Sequence, residues 1–402
     1  MSRNVPKLRF KGFEDEWENY KLGSFSEKIT EKNKGFKVKN VISNSAKNGL
    51  ISQRDFFEKD IANKNNIDGY YIIKNGDFVY NPRKSNEAPY GPINKYKFKD
   101  DGVVSPLYFC FRINNKVSNE YLEEYFKSSK WYRYVHMNSD QGARHDRVSI
   151  KDSEVMNMKI KLPSLQEQEK IANFLSKVDS IIEKQEKKVE YWNSYKKGMM
   201  QKIFSQKIRF KDENGRDYPE WEEKKAGDLF INISDKDHNG DIDVLSVTQD
   251  RGVLLRKDLE IDIKFDNESL KNYKKVMPGD FIISLRSFQG GFEISNQQGL
   301  ISPAYTVFNF KDKDKFNSKY FAHLFKTKTF IRKLSGFIYG IRDGKAISFT
   351  DFKTMKLLYP CLEEQTKIAN FLSNIDNIIE KESKKLEELR QWKKGLLQQM
   401  FV

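Results

Sequence analysis

The sequence predicts an α+β fold in which two α+β domains are joined by two long helices. The helices are expected to form an antiparallel coiled coil, making the chain a pseudo-two-fold symmetric tandem duplication. Three observations carry this expectation. Residues 163–204 return, without a gap, as residues 360–401, with 24 of 42 positions identical. Both stretches carry a sustained 4-3 apolar spacing, the mark of a coiled-coil-like helix. Between them lie short strand-like runs bounded by Gly, Asn and Pro.

The elements follow in order. The opening 7–17 resembles 207–221, with four residues inserted, so the repeated units span about 6–204 and 207–401. In the first unit the runs 40–43, 76–80 and 107–111 read as strands, and 119–134 as a helix. In the second, 244–247, 281–284 and 306–308 read as strands, and 318–334 as a helix. Residues 41–85 align ungapped with 244–288 but share only 9 of 45 positions. The survivors include Gly49/Gly252, Gly76-Asp77-Phe78/Gly279-Asp280-Phe281 and Arg83/Arg286. Further on, Gly102-x-x-Ser105-Pro106 answers Gly299-x-x-Ser302-Pro303.

The first long helix places Ile171, Leu175, Val178, Ile182, Val189, Trp192, Met199 and Ile203 on one seam, with Gln185 and Lys196 as its polar members. The second repeats it with Ile368, Leu372, Ile375, Ile379, Leu386, Leu389, Leu396 and Met400, with Glu382 and Lys393 polar. Pro163 and Pro360 precede the helices, and Glu167/Glu364 and Gln168/Gln365 suit a first turn. About 39 residues at ~1.5 Å each make a rod of roughly 58 Å. Each narrow stripe needs one partner, and near-identical seams of equal length favour the two helices packing on each other over each packing on its own domain. The expected divisions are 1–161, 162–205, 206–358 and 359–402.

Composition narrows the function. The 402 residues carry 72 Lys+Arg and 57 Asp+Glu, a net charge of +15, with pI near 9.3 and mean hydropathy −0.75. Residues 1–165 hold 30 basic and 21 acidic side chains (+9) and 203–362 hold 27 and 23 (+4). The helical stretches 166–202 (8 and 6) and 363–402 (7 and 7) are nearly neutral. Two basic blocks suggest an anionic partner such as nucleic acid. No apolar run approaches a membrane span, no secretory signal is visible, and Cys110 and Cys361 are too few for a disulfide framework, so a soluble cytoplasmic protein is expected. There is no phosphate-binding or dinucleotide glycine loop, and His136, His145, His238 and His323 are too scattered for a zinc site. Glu222-Glu223-Lys224 imitates part of a nuclease site, but such triplets arise by chance in so charged a chain. No catalytic site and no metal site are expected.

The remaining candidates are DNA contacts. Arg83-Lys84-Ser85 and Arg286-Ser287-Phe288 follow strands at aligned positions. Two Gly-x-Arg loops answer each other, one with Arg144, His145 and Arg147, the other with Arg342 and Lys345. A loop arginine can hold phosphate, read guanine bidentately, or brace its loop. Because these arginines recur in both copies, they suit phosphate or structural roles better than a sequence code. Positions that differ are better code candidates: Lys47, Asn48, Lys84, Asn86 and His145 in the first domain, and Asp250, Arg251, Ser287, Phe288 and Gln289 in the second.

Two dissimilar domains, each followed by a repeated helix beginning Pro-x-Leu-x-Glu-Gln-x-Lys-Ile-Ala, resemble the specificity subunit of type I restriction-modification enzymes. The resemblance covers essentially the whole chain. Supporting marks are Gly76-Asp77-Phe78 with Asn81-Pro82-Arg83, Ser105-Pro106-Leu107-Tyr108 and Ser302-Pro303-Ala304-Tyr305. The second domain departs by having Ser284-Leu285 before Arg286. The resemblance implies two target-recognition domains, each reading one half of a split double-stranded DNA site, with the helices as spacer and docking surface for two methyltransferase subunits. Restriction subunits would join the complex. S-adenosylmethionine, ATP and Mg would be used on those partner chains, with no cofactor on this one. A coiled-coil scaffold that does not read DNA and a stand-alone DNA-modifying enzyme are the alternative readings.

Overall fold

The structure is a computed structural model, and it describes residues 4–53, 64–140, 146–248, 251–259, 267–284, 291–335 and 347–402. The chain forms two compact units, residues 1–186 with 384–402, and residues 187–383. Each unit therefore holds one domain and parts of both long helices.

The first unit contains β1 (Glu18–Lys21), β2 (Ser26–Lys28), β3 (Ile42–Ser45), β4 (Gly49–Ser52), β5 (Tyr71–Ile73), β6 (Phe78–Tyr80), β7 (Ile93–Lys95), β8 (Gly102–Val104), β9 (Phe109–Ile113) and β10 (Lys159–Leu162). Strands β2-β9-β6-β7 form an antiparallel sheet, and β1–β10, β3–β4 and β5–β8 form two-stranded ribbons. Side chains alternate across a strand. Phe78, Tyr80, Phe109 and Phe111 thus enter one core with Tyr121, Phe126 and Trp131, while Val79 and Cys110 enter another with Ile42, Ile73 and Val104. Both faces of the sheet are covered, which is why these short strands read as continuous apolar runs.

The second unit repeats the plan with β11 (Glu222–Lys225), β12 (Phe230–Ile233), β13 (Leu245–Thr248), β14 (Gly252–Leu255), β15 (Lys274–Val276), β16 (Phe281–Ile283), β17 (Phe292–Ile294), β18 (Gly299–Ile301), β19 (Thr306–Phe310) and β20 (Lys356–Tyr359). The sheet is β12-β19-β16-β17, and the ribbons are β11–β20, β13–β14 and β15–β18. Phe281, Ile283, Phe308 and Phe310 face one core, and Ile282 and Val307 the other.

The residues shared by the two rewritten halves have structural reasons. Gly76 and Gly279 turn the chain at φ +91° and +89°, a conformation that glycine adopts without steric cost. The next carboxylates close the turns, Asp77 accepting from Lys74 N at 2.6 Å and Asp280 from Met277 N at 2.8 Å. A Cβ on Gly102 would stand 2.6 Å from Ile42, and one on Gly299 2.4 Å from Leu245, so each lets a hairpin (β3–β4, β13–β14) approach the neighbouring ribbon (β5–β8, β15–β18) closely.

The helix expected over 119–134 is two helices, Asn119–Lys127 and Tyr132–Asn138, and that over 318–334 is Ser318–Phe325 and Lys328–Ser335. No proline breaks them. Ser128 and Thr327 turn their hydroxyls back onto the carbonyls of Tyr125 (2.6 Å) and Leu324 (2.8 Å), the local competition by which Ser and Thr end helices.

The long helices span Leu165–Phe204 and Leu362–Met400. In the first unit Lys393 bonds Asp179 and Arg390 bonds Glu186; in the second Lys188 bonds Glu382 and Lys196 bonds Asp376. In each unit one number falls as the other rises, so the helices run antiparallel. Ile171, Leu175 and Val178 are buried with Leu396 and Met400, but in the same core as the domain's Trp17 and Tyr121. Ile368, Leu372 and Ile375 likewise share a core with Ile203, Tyr320 and Phe321. One seam thus packs both on the partner helix and on its own domain. Leu386 is buried, while Ile182, Val189 and Ile379 are half-buried.

Repeated polar contacts lock domain to helix. Arg9 meets Glu167 through two bonds of 2.8 Å, and Arg209 meets Glu364 at 2.8 and 3.3 Å. Gln168 accepts from Ser118 N and donates to Pro163 O; Gln365 accepts from Asn317 N and donates to Pro360 O. Ser118 and Asn317 are in turn the N-caps of the domain helices. The chain openings dock alike, Leu8 N on Gln399 O at 3.0 Å and Ile208 N on Lys202 O at 3.3 Å.

Candidate nucleic-acid interface

In the first unit the β3–β4 turn exposes Lys47 and Asn48. An asparagine network fixes this hairpin to the end of β6. Asn44, buried, donates to Val79 O at 2.7 Å; Asn94 donates to Asn44 Oδ1 at 2.6 Å; and Asn81 donates to Asn44 O at 2.9 Å. Asn81 Oδ1 also accepts from Arg83 N at 3.1 Å, turning the chain into Pro82-Arg83-Lys84. Gly91 packs so closely on this turn that a Cβ would lie 2.1 Å from Asn81 O.

The turned segment pairs with the stem of the Gly-x-Arg loop. Arg83 bridges Arg147, Lys84 N donates to Asp146 O at 2.9 Å, and Val148 N donates to Pro82 O at 2.8 Å. The backbone therefore holds two arginines side by side. Among the described residues Arg83 has no acidic partner, and Arg147 has only Asp146, at 3.9 Å. Adjacent guanidinium groups repel unless an anion lies between or over them. Burial raises the Tyr108 phenol above its usual range, partly opposed by Asn44 and by the charges of Arg147 and Arg83. Beside it Leu107 is 60% exposed, in a turn closed by Tyr108 N to Ser105 O.

The second unit builds the same frame with different parts. The β13–β14 turn exposes Arg251, whose N–H bonds Thr248 Oγ1 at 3.0 Å. Val247, Ser284 and Glu293 stand where the first unit has Asn44, Asn81 and Asn94. Ser284 N bonds Gly291 O at 2.7 Å. Glu293 is buried, which raises its carboxyl above the ordinary range against the opposing pull of its partner Lys326. The Ser302 turn repeats that of Ser105 but presents Ala304 in place of Leu107.

Of the sequence-derived candidates, the structure brings together Arg83, Lys84 and Arg147, and ties Lys47 and Asn48 to them through Asn44. Asn86 is exposed on the same loop. Arg144, His145, Asp250, Arg286, Ser287, Phe288, Gln289, Arg342 and Lys345 lie outside the described residues. Sequence reasoning missed Asn44 and Asn94, which are far apart in the chain and share no spacing rule, and knew Asn81 only as a mark of the resemblance. It placed Leu107 in a strand, 107–111, whereas the strand begins at Phe109 and Leu107 stands exposed in the turn before it. Among the described residues no group of three or more His, Cys, Asp or Glu could hold a metal ion, and no helix is long and apolar enough to cross a membrane.

The family model of the type I restriction modification DNA specificity domain matches the chain twice, at residues 14–191 and 218–391. A Methanocaldococcus jannaschii protein described as a type I restriction enzyme MjaX specificity subunit is 26% identical over 360 residues, 85% of this chain and 80% of that protein. The type I restriction enzyme MjaVIII specificity subunit of the same organism is 30% identical over 263 residues, 60% of each chain. The crystal structure of the S subunit of a type I restriction-modification system from M. genitalium has the same fold, with TM-score 0.55, 14% identity and 99% of each chain covered. The twice-matched domain and the shared fold agree: this chain belongs to the type I restriction-modification DNA specificity family, the non-catalytic, sequence-recognising part of those systems.

Proposed function

We propose that the domains at 1–161 and 206–358 each read one half of a split double-stranded DNA site, and that the helices at 162–205 and 359–402 serve as spacer and docking surface for two methyltransferase subunits. Restriction subunits complete the assembly in the cytoplasm, and S-adenosylmethionine, ATP and Mg act on those partner chains. The observation that carries the DNA reading is the Arg83–Arg147 pair, two like charges fixed together by backbone bonds and lacking a close carboxylate among the described residues. A phosphate supplies the missing charge. Arg83 and Arg286, with Arg144, Arg342 and Lys345, serve the backbone of the DNA. Lys47, Asn48, Lys84, Asn86 and His145 on one domain, and Arg251, Ser287, Phe288 and Gln289 on the other, read bases.

The test is Arg83→Ala in the full chain, titrated on duplexes across a salt series. Loss of a phosphate contact lowers affinity for all sequences alike and reduces the log K against log salt slope by about one. Loss of a base contact relaxes preference at one position by about 1–3 kcal/mol and leaves competitors almost unchanged. The expected result is the first. A folded variant with neither change would make the arginine a loop brace.

A further inference from the structure

The first unit carries a hollow of about 160 Å³ against the segment that holds the paired arginines. Pro82 and Val148 line it; they are the chain neighbours of Arg83 and Arg147 and are joined by the bond from Val148 N to Pro82 O. Tyr71, Tyr80 and Tyr108 line it as well, and Leu107 stands at its edge. The ionic residues of the lining, Lys28 and Asp152, neutralise each other at 2.6 Å. Leu107 is 60% exposed, and no other described leucine or isoleucine is more so. An aliphatic side chain is thus held in water beside the Arg83–Arg147 pair.

The turn that presents it is the same in both units. Leu107 N bonds Ser105 Oγ at 3.3 Å and Tyr108 N bonds Ser105 O at 3.0 Å. Ala304 N bonds Ser302 Oγ at 3.4 Å and Tyr305 N bonds Ser302 O at 3.0 Å. The duplication kept this frame and changed the side chain at its tip. The wall behind the tip changed too: Lys274 answers Tyr71 and bonds Tyr305 O at 2.6 Å, and Ile283 answers Tyr80. Phosphate is alike in both halves of a DNA site and bases are not, so a kept frame with an altered tip suits a position that reads a base.

We infer that Leu107 reads the 5-methyl group of a thymine in the half-site of the first domain, while the arginine pair alongside holds the DNA backbone. This deepens the function proposed above and rests on it. A lone exposed leucine is ordinary on a protein surface; Leu107 is set apart by its place at the arginine pair and by its exchange for Ala304 in an otherwise repeated turn. Of the groups that base pairs present in the major groove, the thymine methyl is the apolar one, so it is the group an aliphatic side chain distinguishes. The hollow leaves the inner side of the leucine free to receive it.

The experiment titrates the full chain on duplexes bearing the adenine-methylated motif of the host genome, and on a random duplex of equal length. Each thymine of the motif, on both strands, is replaced in turn by deoxyuridine, which removes the methyl and keeps the hydrogen-bonding edge. One replacement, in one half of the motif, should lower the affinity of the natural chain about fourfold, the worth of one buried methyl. Leu107→Ala introduces the side chain that the same turn already carries in the second unit, so the fold tolerates it. This variant should bind the thymine duplex more weakly by a similar factor and lose nothing further with deoxyuridine at that position, the non-additivity of two groups in contact. Replacements in the other half of the motif should act equally on both chains. Deoxyuridine that costs nothing at any position, or that costs both chains the same at every position, would overturn the inference while leaving the DNA reading in place. A natural chain that binds the motif no better than the random duplex would remove the proposed function itself, and the role of Leu107 with it.

Discussion

Single residues show where stability is concentrated. Glu364 is fully buried and accepts from Arg209 and from the Trp221 indole N–H at 3.2 Å. Removing one partner of a buried ion pair strands the other, at about 3–5 kcal/mol. Glu364→Ala should therefore lower the melting temperature of residues 187–383 by many degrees, whereas a shift no larger than that of a surface substitution would show that the lock is idle. His323 gives a pH signature. Burial, then Lys196 and Lys319, push its imidazole down to about 4, against the pull of Asp376. The unfolded chain takes up this proton near pH 6.5 and the folded one only near 4, so stability falls as pH drops through that window. The loss is of order 3 kcal/mol. In the first unit Glu124 holds the equivalent place. Thermal melts of His323→Gln between pH 7 and 4 should show a flatter decline than the natural chain; parallel declines would place the titration elsewhere.

At the level of elements, the long helices were fully legible from periodicity because 3.6-residue patterning over forty residues leaves no other solution. Six strands were legible as apolar runs, some displaced by a couple of residues, as with 40–43 against Ile42–Ser45, while others such as β1 (Glu18–Lys21) and β7 (Ile93–Lys95) were not. The break of each domain helix was not legible: Ser128 and Thr327 are common residues, and only their hydroxyl bonds to the preceding turn reveal the stop. Nor did the seam disclose that its first half is domain core. That double duty changes what a seam substitution does. Leu372 is fully buried among Tyr320, Phe321 and Phe352, whereas Ile379 is half-buried at the edge of that cluster. Leu372→Glu places a carboxylate where its charge cannot be solvated, at several kcal/mol or with forced protonation. It should unfold the second unit as well as prevent assembly, while Ile379→Glu should leave the unit folded. Two-transition melts and limited proteolysis distinguish the variants, and equal effects would contradict the shared-core assignment.

At the level of the whole molecule, duplication explains which features are shared and which are free. Helices, chain openings, the Arg–Glu and Gln locks and the Gly-Asp-Phe turns are common to both units, because they build the frame. The asparagines that fix the first unit's β3–β4 hairpin are not kept: Val247, Ser284 and Glu293 occupy their positions in the second unit. The bases read were not legible from either, since a loop side chain's partner depends on the duplex it meets and not on any periodicity within the chain. The central claim is that recognition is divided by domain, and a domain exchange tests it most directly. The replacement should run from the chain start to Pro163, just past the β1–β10 ribbon, with an incoming domain that carries its own Lys-x-Arg-Phe opening and a capping residue for Gln168 to grip. The adenine-methylation motif is then read from the host genome. One half of the motif is expected to change while the other half is kept; a change in both halves, or in neither, would rule out the division by domain.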